Sequence, residues 1–186
     1  MKCCLKPHFV KLILTAIACG LNSCQASRYI TPPTQNINAT LNSTAAEADS
    51  HFSYDGRYLI YTSDRQSKRS VYLYDLQRRR LITLPGLNQP GSMQSQADIS
   101  ADGRYIVYVS EQLGKSDIFL YDRLTAKSQN LTRNFIGEVR QPSISGNGRF
   151  ISFEGNRSGQ WDIEIYDRGL AIDLSTPQNF LNPQKP

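Results

Sequence analysis

Between residues 51 and 175 the chain runs three times through one arrangement of apolar and polar positions. In each copy a short segment (HFS, DIS or SIS) leads into a polar turn, and an almost unbroken apolar stretch follows: YLIYTS, YIVYVS or FISFEG. A polar interval separates that stretch from a second one, VYLYD, IFLYD or IEIYD, and a weaker one (RLITL, SQNLT, AIDLS) closes the unit. The runs are too short for helices and rich in β-branched and aromatic residues, so they predict strands. No helix is expected in residues 51–175. The unbroken apolar stretch predicts a strand covered on both faces.

The polar turns set the register of the copies. Asp55-Gly56-Arg57-Tyr58, Asp102-Gly103-Arg104-Tyr105 and Asn147-Gly148-Arg149-Phe150 stand 47 and then 45 residues apart. Asp75, Asp122 and Asp167, each after a tyrosine, follow at one fixed distance, and Ser53, Ser100 and Ser145 precede each turn by two residues. Asp-Gly and Asn-Gly tolerate positive φ and close hairpins. Four strands in about 45 residues is the period of a propeller blade. The expected architecture is therefore all-β: a partial β-propeller of three four-stranded antiparallel blades, at about 51–92, 93–138 and 139–175, with a tail at 176–186.

The repeats resemble the TolB-like propeller repeat, a relative of the WD-type repeat. FSYDGRYLIY and ISADGRYIVY follow its pattern, and ISGNGRFISF departs from it at Asn147 and Ser152. The resemblance covers residues 50–175. It implies a non-enzymatic binding or scaffold protein of the bacterial cell envelope, acting through protein–protein contact. TolB itself also carries an α/β domain that has no counterpart in these residues, so a role in the Tol system does not carry over. TolB-like propellers resemble six-bladed rings, whereas three blades are recognised here. The implied partner is another envelope protein or a second propeller chain, and two copies in head-to-tail contact would make a homodimeric ring. In such folds the first strand of each blade lines the centre. The loops before it, with Ser95, Gln96, Glu138, Arg140 and Gln141, are the candidate partner surface, and Trp161 is the aromatic expected to be partly exposed.

The N-terminal stretch changes the reading of the charge. The formal charge is +5, but Lys2, Lys6 and Lys11 precede an apolar run, LILTAIACGL, with no acid among residues 1–23. That is the layout of an export signal at 1–23, and without it the charge is close to balanced. Nucleic acid is therefore not an expected partner. Leu21-Asn22-Ser23-Cys24 resembles the lipobox of bacterial lipoproteins, which implies lipidation of Cys24 and attachment to a membrane. Cleavage after Ala26, giving a soluble periplasmic or secreted form, is the alternative, and an uncleaved anchor a third. Cys3, Cys4 and Cys19 all lie in the leader, so no disulfide is expected in the mature chain. Residues 24–50, rich in Thr, Asn, Ser and Ala, read as lipid attachment and flexible linker.

Candidate chemistry is sparse. His51 is the one histidine beyond the leader, which argues against a zinc site and makes a Ser-His-Asp triad depend on it alone. Gly155-Asn156-Arg157-Ser158-Gly159 sets its serine one place away from a nucleophile elbow. The repeated aspartates are accounted for as turn residues. No catalytic residue, metal or cofactor is assigned. Arg78-Arg79-Arg80 reads as a solvated hairpin tip, with anionic lipid as its alternative ligand. A propeller hydrolase or lyase acting on glycans, or a degenerate paralogue that needs another propeller chain, remain alternative functions.

Overall fold

A computed structural model describes residues 40–170, and these belong to a single unit of the chain. Cys24, the leader, the last strand of the third repeat and the tail lie outside the described residues. Eleven strands follow one another in antiparallel meanders. The first blade holds β1 (Glu47–Phe52), β2 (Tyr58–Ser63), β3 (Ser70–Asp75) and β4 (Arg80–Ile82). The second holds β5 (Gln94–Ile99), β6 (Tyr105–Ser110), β7 (Asp117–Asp122) and β8 (Lys127–Asn130). The third holds β9 (Val139–Ile144), β10 (Phe150–Gly155) and β11 (Asp162–Asp167). Among the described residues there is no helix. This is the expected all-β architecture of propeller blades. The first strand of each blade begins earlier than the sequence suggests, and β1 reaches back to Glu47, inside the stretch read as linker.

The repeated tetrapeptide builds the β1–β2 turn and its two equivalents. Ser53 Oγ donates to Asp55 Oδ1 at 2.7 Å and accepts the Tyr58 N–H at 2.9 Å, while Asp55 Oδ1 accepts the Arg57 N–H at 3.0 Å. Gly56, at φ 68°, supplies the left-handed residue that the turn needs. Asn147 does the same work in the third blade. Its Oδ1 accepts from Ser145 Oγ at 2.8 Å and from the Arg149 N–H at 3.1 Å. Only the carbonyl-type oxygen is used, so the exchange of Asp for Asn changes nothing in the turn.

The arginine of each tetrapeptide returns across the sheet to the aspartate at the end of the third strand. The pairs are Arg57–Asp75 at 3.3 Å, Arg104–Asp122 at 3.1 Å and Arg149–Asp167 at 2.8 Å. Each aspartate also accepts a backbone N–H of the turn that follows it, as Asp75 does from Arg78 at 2.9 Å. The aspartates are turn residues, as expected. Their arginine partners were not apparent from the sequence.

The core lies between blades rather than within one. Ile60, Val71 and Leu73 of the first blade pack with Ile99, Ile106, Tyr108, Phe119 and Tyr121 of the second. Tyr105, Val107, Ile118 and Leu120 of the second blade pack in turn with Val139, Ile144, Ile151 and Phe153 of the third. Each such side chain contributes about 1.5–3 kcal/mol on full burial. The second strand is covered on both faces in the middle blade, where every residue of β6 is buried. In β10 only alternate residues are buried, because one face of the third blade has no neighbour among the described residues.

Candidate functional site

The strands β1, β5 and β9 lie side by side along the inner edge of the three blades. Each carries a bulge at the same repeat position, and the residue there has left-handed backbone: Asp49 at φ 50°, Gln96 at 51° and Gln141 at 50°. A non-glycine residue in that conformation costs on the order of 1 kcal/mol. Its threefold recurrence marks it as a feature of the repeat. The bulge frees one N–H per blade from the ladder, and the neighbouring side chain captures it. The Gln96 N–H donates to Asp49 Oδ2 at 3.3 Å, and the Gln141 N–H donates to Gln96 Oε1 at 2.8 Å. A row of polar side chains is thereby linked from blade to blade.

Two residues further along the same strands stand His51, Asp98 and Ser143. Asp98 is the hub. Its carboxylate accepts from the Ile99 N–H at 2.8 Å, the Ile144 N–H at 2.9 Å and Ser143 Oγ at 2.9 Å, and lies 3.6 Å from His51 Nδ1. Asp49, His51, Gln96, Gln141, Pro142 and Ser143 line a recess of about 330 Å³. A serine, a histidine and an aspartate do meet here, but in the wrong order for a nucleophile. The carboxylate sits between the other two, so the hydroxyl gives its hydrogen to Asp98 and not to the imidazole. A base-activated serine needs the imidazole in the middle. The arrangement can accept and donate hydrogen bonds to an extended chain lying along it. Among the described residues, no group of three His, Asp or Glu side chains is placed to hold a metal ion.

The sequence-derived candidates separate into two clusters. Gln96 and Gln141 come together in the row, and they lie within β5 and β9 themselves, not in the loops before them. Arg140 projects from β9 to a second cluster. Its guanidinium carbon lies 3.8 Å from the centre of the Trp161 ring, and Nε donates to Glu154 Oε2 at 2.6 Å. Trp161 is 39% exposed. Ser95 borders a separate recess with Lys68 and Glu111, and Glu138 is exposed at the start of β9, where its N–H donates to Asn156. Arg78, Arg79 and Arg80 are exposed at the tip between β3 and β4. Asp49, Asp98 and Ser143 were not singled out from the sequence. The repeat offsets applied to Gln141 and Gln96 would have found Asp49.

The chain matches many solved propeller structures. TolB from Acinetobacter baumannii is similar with a TM-score of 0.58 at 19% identity, over 69% of this chain and 31% of that one. A TolB from Agrobacterium tumefaciens, described as putative, is similar with a TM-score of 0.52 at 26% identity, over 64% of this chain and 42% of that one. The structure of a nidogen/laminin complex is similar with a TM-score of 0.51 at 13% identity, over 66% and 44%. This chain therefore spans less than half the length of any of the three. No family model matches it, and no curated protein matches it by sequence.

Proposed function

We propose that this TolB-like propeller is a non-enzymatic binding protein of the bacterial cell envelope, and that it takes an extended segment of a partner protein along its inner polar row. The observation that carries this reading is the row of Asp49, Gln96 and Gln141, held by three identical bulges and bordered by the His51–Asp98–Ser143 network. Side-chain amides and carboxylates at regular spacing suit the alternating N–H and C=O groups of an extended chain. The export signal read from residues 1–23 would carry the protein out of the cytoplasm, and Cys24 would attach it to a membrane.

A photo-crosslinking residue at position 96 or 141 of the full chain, in living cells, tests the reading. A discrete adduct with an envelope protein is expected from both positions and not from position 124, on the exposed β7–β8 turn. If the row yields no adduct, or position 124 yields the same one, the reading fails.

A further inference from the structure

Each blade presents a forward face to the next blade and a backward face to the one before, and the same contacts recur at both internal interfaces. At the first, Tyr58 receives the Arg123 guanidinium at 4.7 Å, with Gly103 beneath the ring and Arg123 Nη1 donating to the Gly103 carbonyl at 2.6 Å. At the second, Tyr105 receives Arg168 at 4.2 Å, with Gly148 beneath the ring and Arg168 Nη1 donating to the Gly148 carbonyl at 2.7 Å. A backbone rung accompanies each: Tyr54 N–H to Ala101 O at 3.1 Å, then Ala101 N–H to Gly146 O at 2.9 Å.

The forward face of the third blade is exposed. Phe150 is 40% accessible, Ile163 69% and Ile165 70%, although the residues equivalent to the two isoleucines in the middle blade, Ile118 and Leu120, are buried. Phe150, Ser152, Ile165 and Ile144 border a recess of about 490 Å³ there. On the backward side of the first blade, Phe52 and Tyr54 are 61% and 82% exposed, and Leu76, at the position of Arg123 and Arg168, is exposed as well. Leu59 and Tyr61 at the centre of that face are already covered within the chain, with Leu41, Asn42 and Glu47 lining the recess beside them, so only the rim with Phe52, Tyr54 and Leu76 is open to a neighbour.

These two surfaces depart from the repeat in ways that match each other. Where the internal interfaces pair a tyrosine with an arginine, the third blade has Phe150 and the first has Leu76, so a polar pair gives way to an apolar one. Where they set Ile60 or Val107 in one core with Ile99 or Ile144, the third blade has the smaller Ser152 and the first the larger Phe52. A smaller residue on one side accompanies a larger one on the other. The hydrogen-bond rows extend in the same sense. A first blade placed next would offer the Asp49 N–H to the Gln141 amide and the Tyr54 carbonyl to the Gly146 N–H.

We propose that the forward face of the third blade docks on the first blade of a second copy of this chain, head to tail. Phe52 of one copy enters the recess at Ser152 of the other, and Leu76 covers Phe150. Sedimentation velocity of the full chain in mild detergent tests this. The wild-type chain is expected to self-associate across the micromolar range. Ile165→Asp, at a side chain exposed in the single copy, is expected to weaken association about a hundredfold, since a contact that buries it buries a charge, with the circular dichroism spectrum unchanged. Phe150→Asp is expected to weaken it likewise, and Phe150→Asp with Leu76→Arg to restore it. A wild-type chain that stays monomeric overturns the proposal. Undiminished association of Ile165→Asp overturns it too, as does a charge swap that restores nothing.

Discussion

Gly103 and Gly56 occupy the same turn position in successive blades, which makes their alanine variants an internal control for blade-to-blade packing. Both have positive φ, +77° and +68°. Alanine in the left-handed region costs about 1–2 kcal/mol, partly offset by about 0.4–1 kcal/mol of lost freedom in the unfolded chain. In a single copy nothing lies within 4 Å of an added Cβ at Gly56, so in a chain kept monomeric by Ile165→Asp the Gly56→Ala change pays only that backbone cost. At Gly103 the Cβ would sit 2.6 Å from Tyr58 Cδ2 and 3.1 Å from Arg123 Nη1. The Tyr58 ring has no easy retreat, because the guanidinium carbons of Arg57 and Arg123 lie 4.8 Å and 4.7 Å from its centre. Overpacking costs about 1–3 kcal/mol, and loss of the Arg123 stack adds about 0.5–1 kcal/mol. Gly103→Ala should therefore be less stable than Gly56→Ala by about 1.5–4 kcal/mol, or roughly 3–16 °C in Tm. Urea unfolding followed by Trp161 fluorescence and by circular dichroism measures the difference. Equal shifts for the two variants would refute the claim that blade contact, rather than turn geometry, constrains Gly103.

Thr132→Val keeps its shape but removes a hydroxyl that accepts the Ile118 N–H at 2.9 Å and donates to the buried Asp117 at 3.0 Å, so a urea titration should show a loss of about 1–3 kcal/mol, largely spared in Thr132→Ser. Burial alone would raise the carboxyls of Asp75 and Asp122, yet hydrogen bonds from backbone N–H groups and from Arg57 and Arg104 outweigh it and hold both below the usual carboxylate range. Hydrogen bonds from Arg149 and the Gly169 N–H bring Asp167 down to about 2. A depressed carboxylate stabilises the fold above its unfolded value of about 4 and loses that contribution as the pH falls through its folded value. Tm should therefore hold steady from neutral pH to about 4 and then fall steeply toward pH 2, with a shallower fall in Arg57→Gln; a wild-type Tm unchanged down to pH 2 would count against this. Cys24→Ala should move the protein out of the membrane fraction and abolish incorporation of labelled palmitate; unaltered labelling would place the lipid elsewhere or nowhere.

The strands that sequence patterning located best are those whose residues do the same thing in every blade. YLIYTS, YIVYVS and FISFEG became β2, β6 and β10 without a shift, because a mostly apolar segment between a glycine turn and a polar loop has few other ways to be buried. The fourth strands were placed less well. β8 is Lys127–Asn130, nearly all polar and exposed, and only its pairing to β7 makes it a strand. The first strands began earlier than expected because the largely hydrophilic residues at the starts of β1 and β5, and Val139 and Arg140 at the start of β9, pair with β2, β6 and β10 without a continuous apolar face. The Arg57–Asp75 pair and its equivalents escaped notice because eighteen residues separate the partners, and only antiparallel pairing of the second and third strands brings them opposite.

The repeat, the turns and the blades follow from local chemistry along the chain. A Ser-x-Asp-Gly turn needs nothing beyond its own hydrogen bonds, and an apolar strand declares its burial by composition. Tertiary structure alone decided the inner row of Asp49, Gln96 and Gln141, the order of Ser143, Asp98 and His51, and the stacking of Arg123 on Tyr58 and of Arg168 on Tyr105. These depend on which N–H a bulge frees, on which carboxylate oxygen lies between two neighbours, and on which blade face meets which. Such contacts join residues on different blades, and their geometry is set by the packing between blades rather than by the residues nearest in the chain.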